Sequence, residues 1–221
     1  LVASDLNSQF DLNTITINIG GVNDETPVFT SSATPSINEN VRNVVSLTST
    51  DADSGDTVSY AITGGADSAL FEINSNTLRF QAAGGADYEN PGDVGTNNEY
   101  VVQVTASDGA TPANTVAQTI TITVGNTNDE LPTFTSPSTP SIDENVRNVV
   151  TLTTTDGDSG DSSSYAVRTA AQDATSADAA LFEISGGVLR FAAATGANYE
   201  SPADAGTNNE YVVVVRATDS G

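Results

Sequence analysis

At 221 residues with a formal net charge of −23, and with no cysteine, methionine, tryptophan, histidine or lysine, the chain is defined first by what it lacks. Its six positive charges are all arginine, too few to meet a phosphate backbone, which excludes nucleic acid and disfavours anionic lipid. The missing His, Cys and Lys remove the common general bases and nucleophilic dyads of catalysis, and zero cysteine removes disulfides as staples.

Taken in chain order, apolar residues alternate with polar ones at period two, the mark of strands buried on one face. Ile15, Ile17 and Ile19 predict a strand over 13–19. Val58, Tyr60 and Ile62 predict another, Tyr100, Val102, Val104 and Ala106 a third, and Ile120, Ile122 and Val124 a fourth. Between them GGADS, DSGDTVS, ENPGDVGTNNE and DGATPAN supply turn chemistry, and no long stretch carries a helical period.

The chain then repeats itself. Residues 34–56, TPSINENVRNVVSLTSTDADSGD, return 105 positions later as TPSIDENVRNVVTLTTTDGDSGD at 139–161, identical at 19 of 23 positions. NDETPVF at 23–29 and NDELPTF at 128–134 obey the same shift. Six extra residues in a longer loop over 168–177 raise the shift to 111, at which LFEI and TNNEYVV recur. Tandem modules follow: 1–25 is the tail of one, 26–130 a complete one, and 131–221 a third without its last strand. Modules of this length suit a β-sandwich of roughly 100 residues, so the expected fold is all-β, a linear array of seven-stranded antiparallel sandwiches. Without a methionine, Leu1 is not a translation start, and the chain reads as a stretch of a longer or processed polypeptide.

The acids fall in fixed clusters at strand ends and in linkers. In the complete module these are Glu39 in NEN, Asp51, Asp53 and Asp56 in DADSGD, Asp87 and Glu89 in DYE, Asp108 in ASDG, and Asn128, Asp129 and Glu130 at the exit. Two carboxylates about 4 Å apart repel by about 1 kcal/mol in water and about 4 kcal/mol at the effective dielectric near a protein surface. A pole that gathers several of them therefore needs a cation. Oxygen donors alone select a hard ion, and flexible carboxylate and carbonyl coordination favours Ca2+ over Mg2+. Asp67, Asp93, Asp173 and Asp178 lie outside these clusters and are expected to be only a solvated face.

The motifs NEN, DAD, DYE and ASDG with the N-D-E-x-P-x-F linker, nearly repeated in the following copy, resemble the cadherin repeat, specifically the bacterial cadherin-like repeats of large secreted adhesins. The resemblance covers essentially the whole chain. It implies immunoglobulin-like Greek-key sandwiches with calcium held between successive modules. Carried over residue by residue, the central junction would take Glu39, Asp87 and Glu89 from one module. The linker would give Asn128 and Asp129 through side chains and Thr127 and Glu130 through backbone oxygens. The next module would add Asp156, Asp158 and Asp219, with Asp161 at the loop position, a set that resembles a three-calcium site. The leading junction would use Asn23, Asp24 and Glu25 with Asp51, Asp53, Asp56 and Asp108. Asn126 and Glu130 depart from the family linker D-x-N-D-N, and Asn198 replaces the first acid of the far D-x-E, so Glu144 and Glu200 are expected to lack full coordination. Tyr88 and Tyr199 are expected to plug the core beside the sites.

The resemblance implies a calcium-rigidified stalk of a secreted or cell-surface bacterial adhesin or filament, mediating cell–cell or cell–surface adhesion. Its partners would be neighbouring repeats and further copies, by homotypic contact or by a head-to-tail exchange in which the strand at 13–19 completes another chain's sandwich. The second reading is a calcium-dependent carbohydrate-binding module with a polysaccharide partner, against which stands the absence of tryptophan platforms. An enzyme built on paired carboxylates needs a concave pocket that narrow sandwiches in a row rarely offer, and none is expected here. Calcium is the one cofactor expected, and this segment carries no apolar run suited to membrane insertion.

Overall fold

The computed structural model describes residues 13–53, 55, 57–158, 160 and 162–220; the expectations for Asp56 and Asp161 lie outside the described residues. The chain falls into two compact units. The first comprises Leu1–Pro35, Arg42–Ala83 and Glu99–Ile122, and the second Ser36–Val41, Gly84–Asn98 and Thr123–Gly221.

The complete repeat carries β1 (Val28–Phe29), β2 (Ser36–Asn38), β3 (Asn43–Ser46), β4 (Ser49–Thr50), β5 (Ser59–Gly64), β6 (Phe71–Asn74), β7 (Thr77–Phe80), β8 (Glu99–Ser107) and β9 (Thr115–Gly125). With β1 and β2 counted as halves of one interrupted strand, and β3 and β4 as halves of another, seven strands result. Only a single 3-10 turn, Ser68–Leu70, breaks the all-β pattern there. In the first unit β1 pairs antiparallel with β4, β7 lies between β3 and β6, and β8 lies between β5 and β9. In the second unit β2 runs parallel to the end of β9, with Ile37 opposite Val124. A wholly antiparallel sandwich was expected; the difference arises because the first strand is shared between two sheets and meets a different neighbour in each.

The alternation at period two sets the core. Tyr100, Val102, Val104 and Ala106 of β8 are 2, 0, 0 and 0% exposed, and Ile120 and Ile122 of β9 are fully buried. They close over Leu47, Leu78, Phe71 and Phe80. Phe71 and Phe80 have ring centroids 4.6 Å apart, and Tyr100 meets both edge-on, the geometry that ring quadrupoles favour. On the opposite face of β6 and β7, Glu72 receives Arg42 at 2.9 Å and Arg79 at 2.7 Å. Gly65 sits at φ +100, and a Cβ there would lie 2.5 Å from the Val101 carbonyl oxygen, so only glycine lets this turn approach β8.

The second repeat builds β10 (Thr133–Phe134), β11 (Asn148–Thr151), β12 (Thr154–Thr155), β13 (Ser164–Arg168), β14 (Phe182–Ser185), β15 (Val188–Phe191) and β16 (Val214–Thr218). Its pairings, β10 with β12, β11–β15–β14, and β13 with β16, mirror the first repeat. Leu152, Phe182, Leu189 and Phe191 form the buried cluster, while Tyr211, Val213 and Val215, the counterparts of Tyr100, Val102 and Val104, are only half-buried. Among the described residues no strand flanks β16 on its second side.

Three expectations are corrected. Ile15, Ile17 and Ile19 are exposed and form no strand, because an apolar alternation becomes a strand only where a partner accepts its backbone hydrogen bonds. Tyr199 is 66% exposed and plugs no core, and Tyr88 is half-buried. Asp67, Asp93 and Asp178 are buried, not a solvated face. Asp67 accepts the Val101 amide at 2.7 Å, Asp178 accepts Ala205 and Val212 at 2.7 Å each, and Asp93 accepts Asn97 and Asn98 at 3.1 Å each. Each carboxylate satisfies loop amides that would otherwise be orphaned. Asp204, the counterpart of Asp93, does the same for Asn208 and Asn209; its burial opposes charge, but those amides outweigh it and hold its carboxyl below the usual range. Asp173 is half-buried, bound by the Thr175 hydroxyl at 2.6 Å, and that hydroxyl with the Thr175 amide lowers its pKa.

Candidate metal centre

Among the described residues, the second unit contains one group of convergent carboxylates. Ligand atoms of Glu39, Glu89, Asp129 and Asp158 all lie within 4.8 Å of one another. Glu39 follows β2 and is 3% exposed. Its Oε1 accepts the Thr127 amide at 2.8 Å and the Thr127 hydroxyl at 3.2 Å, and its Oε2 accepts the Tyr88 amide at 2.8 Å. Asp158, 5% exposed, accepts the amides of Asp129 at 3.1 Å and Glu130 at 2.8 Å through Oδ2. Asp156 turns its Oδ1 to the Asp158 amide at 3.2 Å. Asn40, a neighbour of Glu39 in NEN, donates its side-chain amide to Asp129 at 2.6 Å.

What these hydrogen bonds leave over identifies the chemistry. Glu89 Oε1, Asp158 Oδ1, Asp156 Oδ2 and Asn126 Oδ1 are buried with no hydrogen-bond partner among the described residues. All four are acceptors, and buried acceptors without donors are costly. A hard divalent cation answers such a set through all its oxygens at once, whereas one water has only two protons to donate; the residues present fit calcium. Gly157 leaves the room required, since a Cβ there would lie 3.2 Å from Glu89 Cγ and 3.1 Å from Glu130 Cγ.

The electrostatics agree. The Glu89 carboxyl is pushed up to about 7, first by burial, opposed by a backbone hydrogen bond, and raised again by the charges of Glu39 and Asp158. Between the ordinary carboxylate value and about 7 the metal-free folded chain therefore holds a proton that the unfolded chain does not. That contribution to stability is complete at acid pH and is lost as pH rises through about 7. A cation competes with the same proton, so calcium affinity is expected to rise from pH 6 to pH 8. Calorimetric titration at the two pH values checks this, and equal affinities would count against Glu89 as a ligand.

The remaining expected ligands are not among these four carboxylates. Thr127 and Glu130 contribute the hydrogen bonds described. Asn128 is exposed, Asp87 is exposed and caps the Asn90 amide at 2.8 Å, and Asp219 is half-buried; neither Asp87 nor Asp219 belongs to the convergent set. At the leading junction, in the first unit, Asp53 Oδ2 accepts the amides of Asp24 at 3.1 Å and Glu25 at 2.9 Å, the arrangement Asp158 makes with Asp129 and Glu130. Asp51 Oδ1 accepts the Asp53 amide, and Asn23 accepts the Asn114 side chain. Asp108 accepts Ala110 and Asn114; burial would raise its carboxyl, yet these amides hold it below its ordinary value. Asp51 Oδ2 and Asp108 Oδ2 are again buried acceptors with no hydrogen-bond partner among the described residues. Glu144, the counterpart of Glu39, is exposed and accepts the Tyr199 amide at 3.2 Å, and Glu200 is exposed. Asn40 and Asn126 were not foreseen as part of the centre.

A sandwich with acidic poles of this kind defines a class of extracellular repeat, and the comparisons identify it. Residues 34–125 match the Cadherin domain family model, so this segment belongs to the cadherin domain family, and the following repeat carries the same motifs. The chain is 30% identical over 187 residues to Cadherin EGF LAG seven-pass G-type receptor 1 of Mus musculus, a match that covers 80% of this chain and 6% of that protein. It is 30% identical over 133 residues to Protocadherin Fat 4 of Homo sapiens, covering 57% and 2%. Among solved structures it resembles Drosophila N-cadherin EC1-4, with TM-score 0.59 and 21% identity over 89% of this chain and 46% of that one. Mouse Cadherin-23 EC22-24 gives TM-score 0.54 and 23% identity over 90% and 61%. These structural likenesses show the fold. The chain spans under a tenth of the length of the curated relatives it matches.

Proposed function

We propose that this chain is part of a calcium-rigidified array of cadherin-type repeats, with repeat boundaries at 1–25, 26–130 and 131–221, forming the stalk of an extracellular or cell-surface adhesin. One observation carries the reading: four carboxylates drawn from 39, 89, 129 and 158 converge within 4.8 Å, and buried acceptors beside them lack donors. Positions 39 and 89 belong to the complete repeat, 129 to the linker and 158 to the next repeat, so one site ties consecutive repeats. Bound calcium supplies the positive charge that lets these groups stay together. Glu39 fixes the linker at Thr127 and the D-x-E segment at Tyr88, and Asp158 fixes Asp129 and Glu130. Glu39, Glu89, Asp129, Asp156 and Asp158 would hold the ion, with Asn126 in addition, and Asp51, Asp53 and Asp108 would serve the leading junction. The assignment to a bacterial secreted adhesin rests on the motif resemblance, and adhesion through self-association rests on kinship with cadherins.

Extracellular calcium modules commonly bind at about 10⁻⁴ to 10⁻³ M. Titration of the chain is expected to saturate in that range. Small-angle scattering is expected to show a longer maximum dimension in calcium than in chelator, because a free linker lets the repeats pivot. No heat of binding, or an unchanged dimension, would sink the reading.

A further inference from the structure

Both repeats contain a loop, GTNNEYVV after a buried aspartate, that is built at some conformational cost. In the first copy Thr96 and Asn98 adopt φ of 48 and 62, and in the second Thr207 and Asn209 adopt 50 and 64. Such left-handed non-glycine residues persist only where surrounding bonds hold them. Asp93 does the holding, with Oδ2 on the Asn97 amide, Oδ1 on the Asn98 amide and its carbonyl on the Thr96 amide at 3.2 Å. Asp93 lies outside the convergent carboxylates.

Asn98 then bonds in two directions. Its side-chain amide donates to the Tyr88 carbonyl at 2.9 Å, one residue before Glu89. Its backbone carbonyl accepts the Val124 amide at 2.9 Å, two residues before Asn126 and the linker. Glu39 joins the same two segments from the other side, through the amides of Tyr88 and Thr127. The path from Tyr88 to Glu39, Thr127, along the backbone to Val124, Asn98 and back to Tyr88 is therefore a closed ring, and all of it lies in the second unit.

We infer that Asn98, set by Asp93, is a positioning residue for the metal centre: it holds Glu89 and the linker at their mutual spacing before any cation arrives. This rests on the proposed calcium site. Outer partners that orient ligands are worth about 10- to 100-fold in metal affinity, and a ring already closed leaves less to order on binding.

The second repeat supplies the control. Asn209 donates to the Tyr199 carbonyl at 3.1 Å, and Asp204 binds the amides of Asn208 and Asn209, so the local construction is the same. There Asn198 replaces the acid, and the far Glu144 and Glu200 are exposed. In the full chain, Asn98→Gly keeps the left-handed backbone and removes the amide, as does Asn209→Gly. Asn98→Gly is expected to weaken calcium binding at the centre at least about 10-fold, while Asn209→Gly leaves it unchanged; melting in chelator should fall by a similar small amount for both. In chelator, amide exchange at Tyr88 and Thr127 should quicken in Asn98→Gly alone. If Asn98→Gly does not fold, Asp93→Asn against Asp204→Asn makes the same comparison. Equal calcium affinity in Asn98→Gly and the unaltered chain overturns the inference, as does an equal loss in Asn209→Gly. If the unaltered chain itself binds no calcium, the proposed function fails instead.

Discussion

Glu39→Ala is expected to cost the chain both the proposed central calcium site and part of its fold. The side chain is buried, and its two oxygens accept three hydrogen bonds, from the Tyr88 amide and from the amide and hydroxyl of Thr127. Alanine leaves two backbone donors without their acceptor, each at about 1–3 kcal/mol, and removes one of four converging charges. Melting in chelator should therefore fall by several degrees, and the rise that calcium is expected to give the unaltered chain should be lost. Glu39→Gln separates the two effects. It retains an acceptor for one amide and removes the charge, so it should lose most calcium stabilisation at a smaller cost in chelator. Should Glu39→Ala bind calcium as the unaltered chain does, Glu39 is a structural residue alone.

Phe80→Ala is expected to be the largest single loss of stability. Phe80 is buried against Phe71 and Tyr100 with centroids at 4.6 and 5.2 Å, and truncating a ring so enclosed costs about 3–5 kcal/mol. The same change at Phe191 should cost less. That ring has the same partners, Phe182 at 4.6 Å and Tyr211 at 5.1 Å, but its wider shell of Tyr211, Val213 and Val215 is only half-buried. A cavity that water and loose neighbours can reach is cheaper to open than one sealed by close packing. Calorimetric unfolding of both variants measures the difference, and a larger loss at Phe191 would contradict the packing described.

The fold and the centre were legible in the sequence to different depths. Alternation placed β8 and the latter part of β9 with the correct inward face, since every second residue there is buried and nothing but a sheet explains that period. The same pattern misled at Ile15, Ile17 and Ile19, because alternation says which face a strand would bury and not whether a neighbour is there to pair with it. Glu39, Glu89, Asp129 and Asp158 could be singled out as candidates because the motifs that carry them recur, at a shift of 105 for Glu39, Asp129 and Asp158 and of 111 for Glu89. Asp67, Asp93 and Asp178 were misread because a carboxylate in a Gly- and Asn-rich loop looks alike in sequence whether it faces water or turns back onto amides. One sign was present: Asp67 and Asp93 return as Asp178 and Asp204 at the shift of 111, whereas Asp173 sits in the inserted loop. The parallel pairing of β2 with β9 left no local trace, being fixed by residues some ninety positions apart.

Residues 36–41 and 84–98 belong to the same compact unit as the chain from Thr123 onward. Truncation at Gly125, where β9 ends, would therefore do more than shorten the molecule. It would strip Glu39 of Thr127 and Asn40 of Asp129, leaving a frayed end on the piece that remains. A protease nicking the stretch 126–130 is expected to have the same effect, since the bonds from Glu39 to Thr127 and from Asn40 to Asp129 both depend on it.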